Sequence, residues 1–176
     1  LDQLINQLKD KKSLDKVPNL IYVKNGEVVR NTSAKALSYD QLACPNFDDL
    51  PLNKYLMLYP VLPYMASRGC YWGKCTFCTH SFIYDSHYRK ENEERVAEEL
   101  DYLGKRYKTK YFTFSDEAIS PNAFDRMSKA ILSQGVEMRA LGMLKFESDS
   151  IETVELFKNM YKAGFLMLFF GLESAN

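Results

Sequence analysis

The chain has 176 residues, 46% apolar and 26% charged, with a net charge of zero. That balance suits one folded domain with an appendage and lacks the excess positive charge that would favour nucleic acid or an anionic membrane. No apolar run approaches the roughly 18–20 residues of a membrane span.

The N-terminus shows neither a signal-peptide pattern nor an initiator methionine, which predicts a trimmed or internal piece of a longer chain, and four cysteines without a secretion signal predict a reduced, cytoplasmic protein. Leu1, Leu4, Ile5 and Leu8 recur at helical spacing and predict a helix over 1–12, ended by a lysine-rich turn. Residues 19–29 read as two short β runs joined by Asn25-Gly26, the dipeptide that supplies the positive φ values of a tight hairpin. From Asn31 to Asn53 the pattern dissolves into Ser, Asp, Asn and Pro, which predicts a connecting segment. The expected division is an interdomain segment over 1–53 and a folded region over 54–176.

After Leu58 strands and helices alternate. An apolar run at 61–66 predicts a strand. A helix over about 90–107 follows, with Val96, Leu100, Leu103 and Tyr107 on one face and Glu91, Glu93 and Glu94 near its N-terminal dipole. Residues 110–117 form a β-rich run ending in Ser115, Asp116 and Glu117. Ser120-Pro121 starts a helix, with serine as cap and proline at the first helical position; Phe124, Met127 and Ile131 mark its buried face and Gly135 its stop. A third strand is predicted over 136–143. Next comes a helix over about 151–163 carrying Ile151, Val154, Phe157 and Tyr161, stopped by Gly164. Finally the continuous apolar run 165–170 reads as a buried parallel strand, followed by Glu173 and Ser174. Four strands alternating with three helices predict an α/β fold: a parallel sheet or part of a (βα) barrel, incomplete because a closed eight-fold barrel needs about 250 residues.

Chemistry concentrates at the predicted C-terminal ends of these strands, where β/α folds place their ligands. Cys70, Cys75 and Cys78 fall within nine residues after the first strand, and three thiolates at such spacing suggest soft metal ligation by iron–sulfur or zinc. Ser115, Asp116 and Glu117 end the second strand, although a short acidic pair is also what a solvated loop contains. Cys44 reads as a linker or packing thiol. His80 or His87 could complete a Cys3His zinc site, giving a zinc-stabilised structural or binding module. An iron–sulfur cube with only three protein ligands would instead leave one iron open to a substrate.

The run Cys70-x4-Cys75-x2-Cys78, with Phe77 before the last cysteine and a β-strand before the first, resembles the radical S-adenosylmethionine superfamily. The usual spacing there is C-x3-C-x2-C, so this chain carries one extra residue in the first gap. The stretch from Ser67 to Cys75 looks like the cobalamin-binding-domain branch, and residues 1–53 look like the segment that joins a cobalamin-binding-type domain to the radical domain. The resemblance covers about residues 54–176. It implies the N-terminal part of a radical S-adenosylmethionine partial barrel and a [4Fe–4S] cluster on Cys70, Cys75 and Cys78. S-adenosylmethionine would bind the open iron. Ser115, Asp116 and Glu117 match the motif that holds the methionine amino group, Glu173 and Ser174 the polar residues near the ribose and methionine, and Phe77 would flank the adenine. The resemblance further implies a 5′-deoxyadenosyl radical acting on a small-molecule or peptide substrate, a reductant such as flavodoxin or ferredoxin, and cobalamin in the full-length protein. Arg68 and Lys74 could temper the cluster's negative charge, although surface solvation is the commoner role of such side chains, and Tyr71, Trp72 and Phe77 could shield it or simply pack the loop.

Overall fold

A computed structural model describes residues 1–34, 37–79, 88–145 and 154–171, which divide into two compact units, Leu1–Leu37 and Ser38–Asn176. In the first unit, helix α1 (Asp2–Lys9) is followed by the antiparallel pair β1 (Ile21–Lys24) and β2 (Glu27–Arg30). Their turn is made by Asn25 and Gly26 at φ 52° and 83°, as the dipeptide predicts. Asp15 gathers Tyr22 and Lys24 of β1 onto its carboxylate, and these hydrogen bonds, led by the one from Tyr22, hold its pKa far below the ordinary range. Asn31 donates to the carbonyls of Leu14 and Val17 at 2.7 and 2.8 Å, tying the end of the hairpin to the segment before it.

The second unit is built on four parallel strands in the order β3 (Val61–Tyr64), β6 (Tyr111–Phe114), β7 (Arg139–Lys145) and β8 (Phe165–Gly171). Helices α2 (Glu93–Tyr107), α3 (Pro121–Ser133) and α4 (Val154–Ala163) make the crossovers. Strand order follows chain order because each crossover returns the chain to the neighbouring strand. A two-residue antiparallel ribbon, β4 (Ser67–Arg68) with β5 (Arg89–Lys90), branches from the end of β3.

The helix-facing side of the sheet forms the core. Leu62 and Tyr64, Phe112 and Phe114, Ala140 and Leu144, and Phe165 are buried there beneath Val96, Leu100 and Leu103 of α2 and Phe124, Met127 and Ile131 of α3. Phe165 meets Phe124 edge-on at 5.1 Å and Phe114 at 5.2 Å, so three aromatic rings join α3 to two non-adjacent strands. Helix starts are set locally. The Asn92 side chain accepts from the amides of Glu94 and Arg95, and Ser120 accepts from Ala123 ahead of Pro121.

Three expectations change. The third strand begins and ends later than 136–143, at Arg139–Lys145, because Val136 still closes the turn that Gly135 opens. In α4, Val154 and Tyr161 are 70% and 69% exposed, and Leu156, Met160 and Ala163 are buried instead. The i, i+4, i+7 stripe is thus rotated from the aromatic one; Ile151 lies outside the described residues. The apolar run of β8 is not buried throughout, with Met167 54% and Phe169 51% exposed. These residues alternate onto the face opposite the helices. Gly164 admits β8 to the sheet: its φ is +107°, and a Cβ there would stand 2.1 Å from the Met138 carbonyl oxygen.

The segment over 38–53 is irregular, as expected, apart from short helical turns, and it packs along α2. Phe47 donates its amide to the Tyr107 hydroxyl at 2.7 Å, and Arg106 and Tyr107 both bond Asp48.

Candidate functional site

The C-terminal end of β3 is organised by one buried carboxylate. Asp116, in the loop after β6, is 1% exposed and accepts from the Ala66 amide at 3.1 Å and from both the amide and hydroxyl of Ser67 at 2.5 Å. Burial pushes its pKa up to about 6; the Ser67 and backbone hydrogen bonds pull the other way without cancelling it. From the other side, the Glu91 amide donates to the Ala66 carbonyl at 2.8 Å. The backbone that turns from β3 toward the cysteines is therefore held by hydrogen bonds on both edges. Ser115 is exposed, and both its amide and its hydroxyl donate to the Tyr64 carbonyl, at 2.9 and 3.2 Å.

Two residues after Asp116, Ala118 pairs in parallel with Cys70. The first cysteine is thus joined to the loop that carries Asp116 and Glu117, which separate sequence stretches only suggested. Between them, Glu117 is half-buried, with its Oε2 enclosed and without a hydrogen-bond partner. An unmet carboxylate oxygen costs about 1–3 kcal/mol or more, so its presence at a strand rim requires an explanation beyond folding.

Cys70, Cys75 and Cys78 are half-buried free thiols. Cys75 and Cys78 close a turn through the Cys78 amide and Cys75 carbonyl at 3.2 Å, while Cys70 is drawn into the sheet by its bridge. Among the described residues no three His, Cys, Asp or Glu side chains converge closely enough to hold a metal ion. Short spacing puts the three thiols on one loop, the first held by the sheet and the other two by a local turn. The donor set still fits an iron–sulfur cluster: three unpaired soft ligands on one loop, none committed to a disulfide.

Phe77 is 66% exposed on this loop. Trp72 carries two cations against its ring, Lys74 Nζ at 5.3 Å and Lys145 Nζ at 4.1 Å from the centroid. Lys145 ends β7 and has no local sequence signal; only strand pairing could have placed it at this rim. Glu173, Ser174, His80 and His87 lie outside the described residues. Cys44 packs at the edge of the core far along the chain from the others, and burial pushes its thiol up to about 11, as befits a packing residue. Among the described residues no helix is long and apolar enough to cross a membrane.

No family model matches the chain. A curated relative, an uncharacterised methyltransferase of Pyrococcus horikoshii, is 31% identical over 180 residues, which cover 99% of this chain and 38% of the relative. This chain thus spans well under half of that protein's length. Among solved structures, the cobalamin-dependent S-adenosylmethionine radical enzyme OxsB with aqua-cobalamin and S-adenosylmethionine bound superposes with a TM-score of 0.77. It is 22% identical, over 98% of this chain and 26% of its own. TsrM from Kitasatospora setae, a radical S-adenosylmethionine methyltransferase solved with cobalamin and a [4Fe–4S] cluster, matches with a TM-score of 0.62 at 13% identity, over 97% of this chain and 35% of its own. The chain has the fold of a segment of the cobalamin-dependent S-adenosylmethionine radical enzymes.

Proposed function

We propose that this chain is the cluster-bearing part of a radical S-adenosylmethionine enzyme, with a [4Fe–4S] cluster held by Cys70, Cys75 and Cys78. The observation that carries this reading is the partnerless, enclosed Oε2 of Glu117, one residue from the bridge that ties Cys70 to the same loop. An enclosed anionic acceptor one residue from the bridge that seats the first thiol suits a ligand that brings both a metal-binding carboxylate and an ammonium group. S-adenosylmethionine is such a ligand. When bound, the cluster supplies one electron to the sulfonium, giving methionine and a 5′-deoxyadenosyl radical that takes a hydrogen atom from substrate.

The protein's own part is positional. Glu117 accepts from the ammonium group. Asp116 fixes the backbone that presents Cys70, and Ser115 lines the same rim. Phe77 lies exposed where it can cover the adenine, and Glu173 and Ser174 are assigned to the ribose side. Closure of the sheet into a partial barrel, cobalamin binding and methyl transfer belong to the whole protein; the cobalamin enzymes that share the fold and the methyltransferase relative support them. A flavodoxin or ferredoxin would serve as electron donor, and the substrate is a small molecule or peptide.

The test is anaerobic reconstitution of the full-length protein with iron and sulfide, followed by S-adenosylmethionine and dithionite. 5′-Deoxyadenosine is expected from wild type and not from Cys75→Ala. One zinc per chain, unchanged by iron and sulfide, would overturn the assignment.

A further inference from the structure

We infer that Lys145 is a positioning residue for the cysteine loop, a latch that reaches from the end of β7 and closes on Trp72. The inference deepens the function proposed above, since the loop it secures is the one assigned to the cluster.

Cys70 is seated by its bridge to Ala118, and Asp116 holds the backbone just before it. Cys75 and Cys78 hold each other through a local turn. Between these two anchored parts lies the span 71–74, the gap that is one residue wider than usual, and Trp72 is in the middle of it. Trp72 is 41% exposed, so packing alone does not fix it. The ammonium of Lys145 lies 4.1 Å from the ring centroid, well inside the range of cation–π attraction, while Lys74, from the loop itself, stands farther off at 5.3 Å. The Lys74 contact is internal to the loop and cannot tether it. The Lys145 contact is between elements: β7 is the next strand but one from β3, so it ties the loop across the rim of the sheet. Lysine can make this contact while its alkyl stem covers the indole.

Trp72 is the one tryptophan in the chain, so indole emission reports on the surroundings of this ring alone. In the metal-free 176-residue chain, acrylamide should quench Lys145→Ala about twofold more effectively than wild type, with Lys145→Arg close to wild type and Lys74→Ala changed less. Lys145→Met, which keeps the stem and removes the charge, guards against a folding artefact, and circular dichroism melts of all four variants should coincide with wild type. Unchanged quenching in both Lys145→Ala and Lys145→Met, or no rescue by Lys145→Arg, would overturn the latch. In reconstituted protein, EDTA should bleach the cluster about threefold faster in Lys145→Ala than in wild type. If wild type takes up no cluster, the proposed function fails, and the emission measurement still decides the latch.

Discussion

The two faces of the parallel sheet are made of similar residues and have opposite fates. Toward the helices, Leu62, Phe112, Phe114, Ala140 and Leu144 are buried in one continuous core. On the other face, Pro63, Thr113, Leu141 and Met167 stand in register across four strands, with Met143 beside Phe169 in the next row, and all are at least partly exposed. Strand periodicity alone sends alternate residues to each side. The lesson is that apolar sequence does not by itself mean core. One face supplies stability, and the other leaves apolar side chains open at the surface of the sheet.

This contrast can be broken by mutation. Phe124→Ala, which removes the ring joining α3 to β8 on the covered face, should cost about 3–5 kcal/mol in chemical denaturation, whereas Phe169→Ala on the open face should cost less than about 1. Similar losses from the two would mean that the open face is covered. Asp116→Ala should cost about 2–4 kcal/mol, because two backbone amides and the Ser67 hydroxyl lose a buried acceptor. A cost near zero would show that the turn before Cys70 holds without it.

A pH series sharpens the same point. Asp116 titrates near 6 when folded and near 3.8 when unperturbed. Between those values the folded chain holds more protons than the unfolded one, so this group's contribution to stability falls as pH rises through the window. Asp15, Asp48, Asp125, Glu93 and Glu137 are held low by their partners and act in the opposite direction. The informative quantity is therefore wild type minus Asp116→Asn, which should decline by about 2 kcal/mol from pH 4 to pH 7 and stay flat above it. A flat difference throughout would contradict the burial-driven shift. The smallest expected change in stability is for Glu117→Gln, within about 1 kcal/mol of wild type, since its enclosed Oε2 loses no hydrogen bond. Its binding effect should be large by contrast: S-adenosylmethionine affinity in the reconstituted protein should fall by about tenfold or more. Equal affinity would remove Glu117 from the site.

What was legible in the sequence follows from locality. The hairpin at Asn25-Gly26, the Ser120-Pro121 helix start and the buried faces of α2 and α3 each depend on residues a few positions apart, and each appears where expected. The exposed half of β8 was not legible, because an apolar run looks the same whether one or both of its faces are covered. At the rim, the loop of three cysteines and the acidic pair could be read as motifs. Their relation could not: the Cys70–Ala118 bridge, the hold of Asp116 on Ser67 and the seat of Lys145 over Trp72 are all consequences of strand pairing between distant segments. Asp116 and Glu117 look alike in sequence. The fold separates them, giving one three donors and leaving an oxygen of the other unmet.

The Cys70–Ala118 bridge has a further consequence for chain length. Strands β3 and β6 run in register to Tyr64 and Phe114, part, and meet again at Cys70 and Ala118, with residues 65–69 on one side of the interval and 115–117 on the other. An insertion or deletion within either stretch would slide the first cysteine along the sheet. The span 71–74 lies beyond that last meeting point, so lengthening it leaves the seat of Cys70 untouched. Chains with three or four residues in this gap can therefore share one seat for the first thiol and differ only in how far the loop swings before the second.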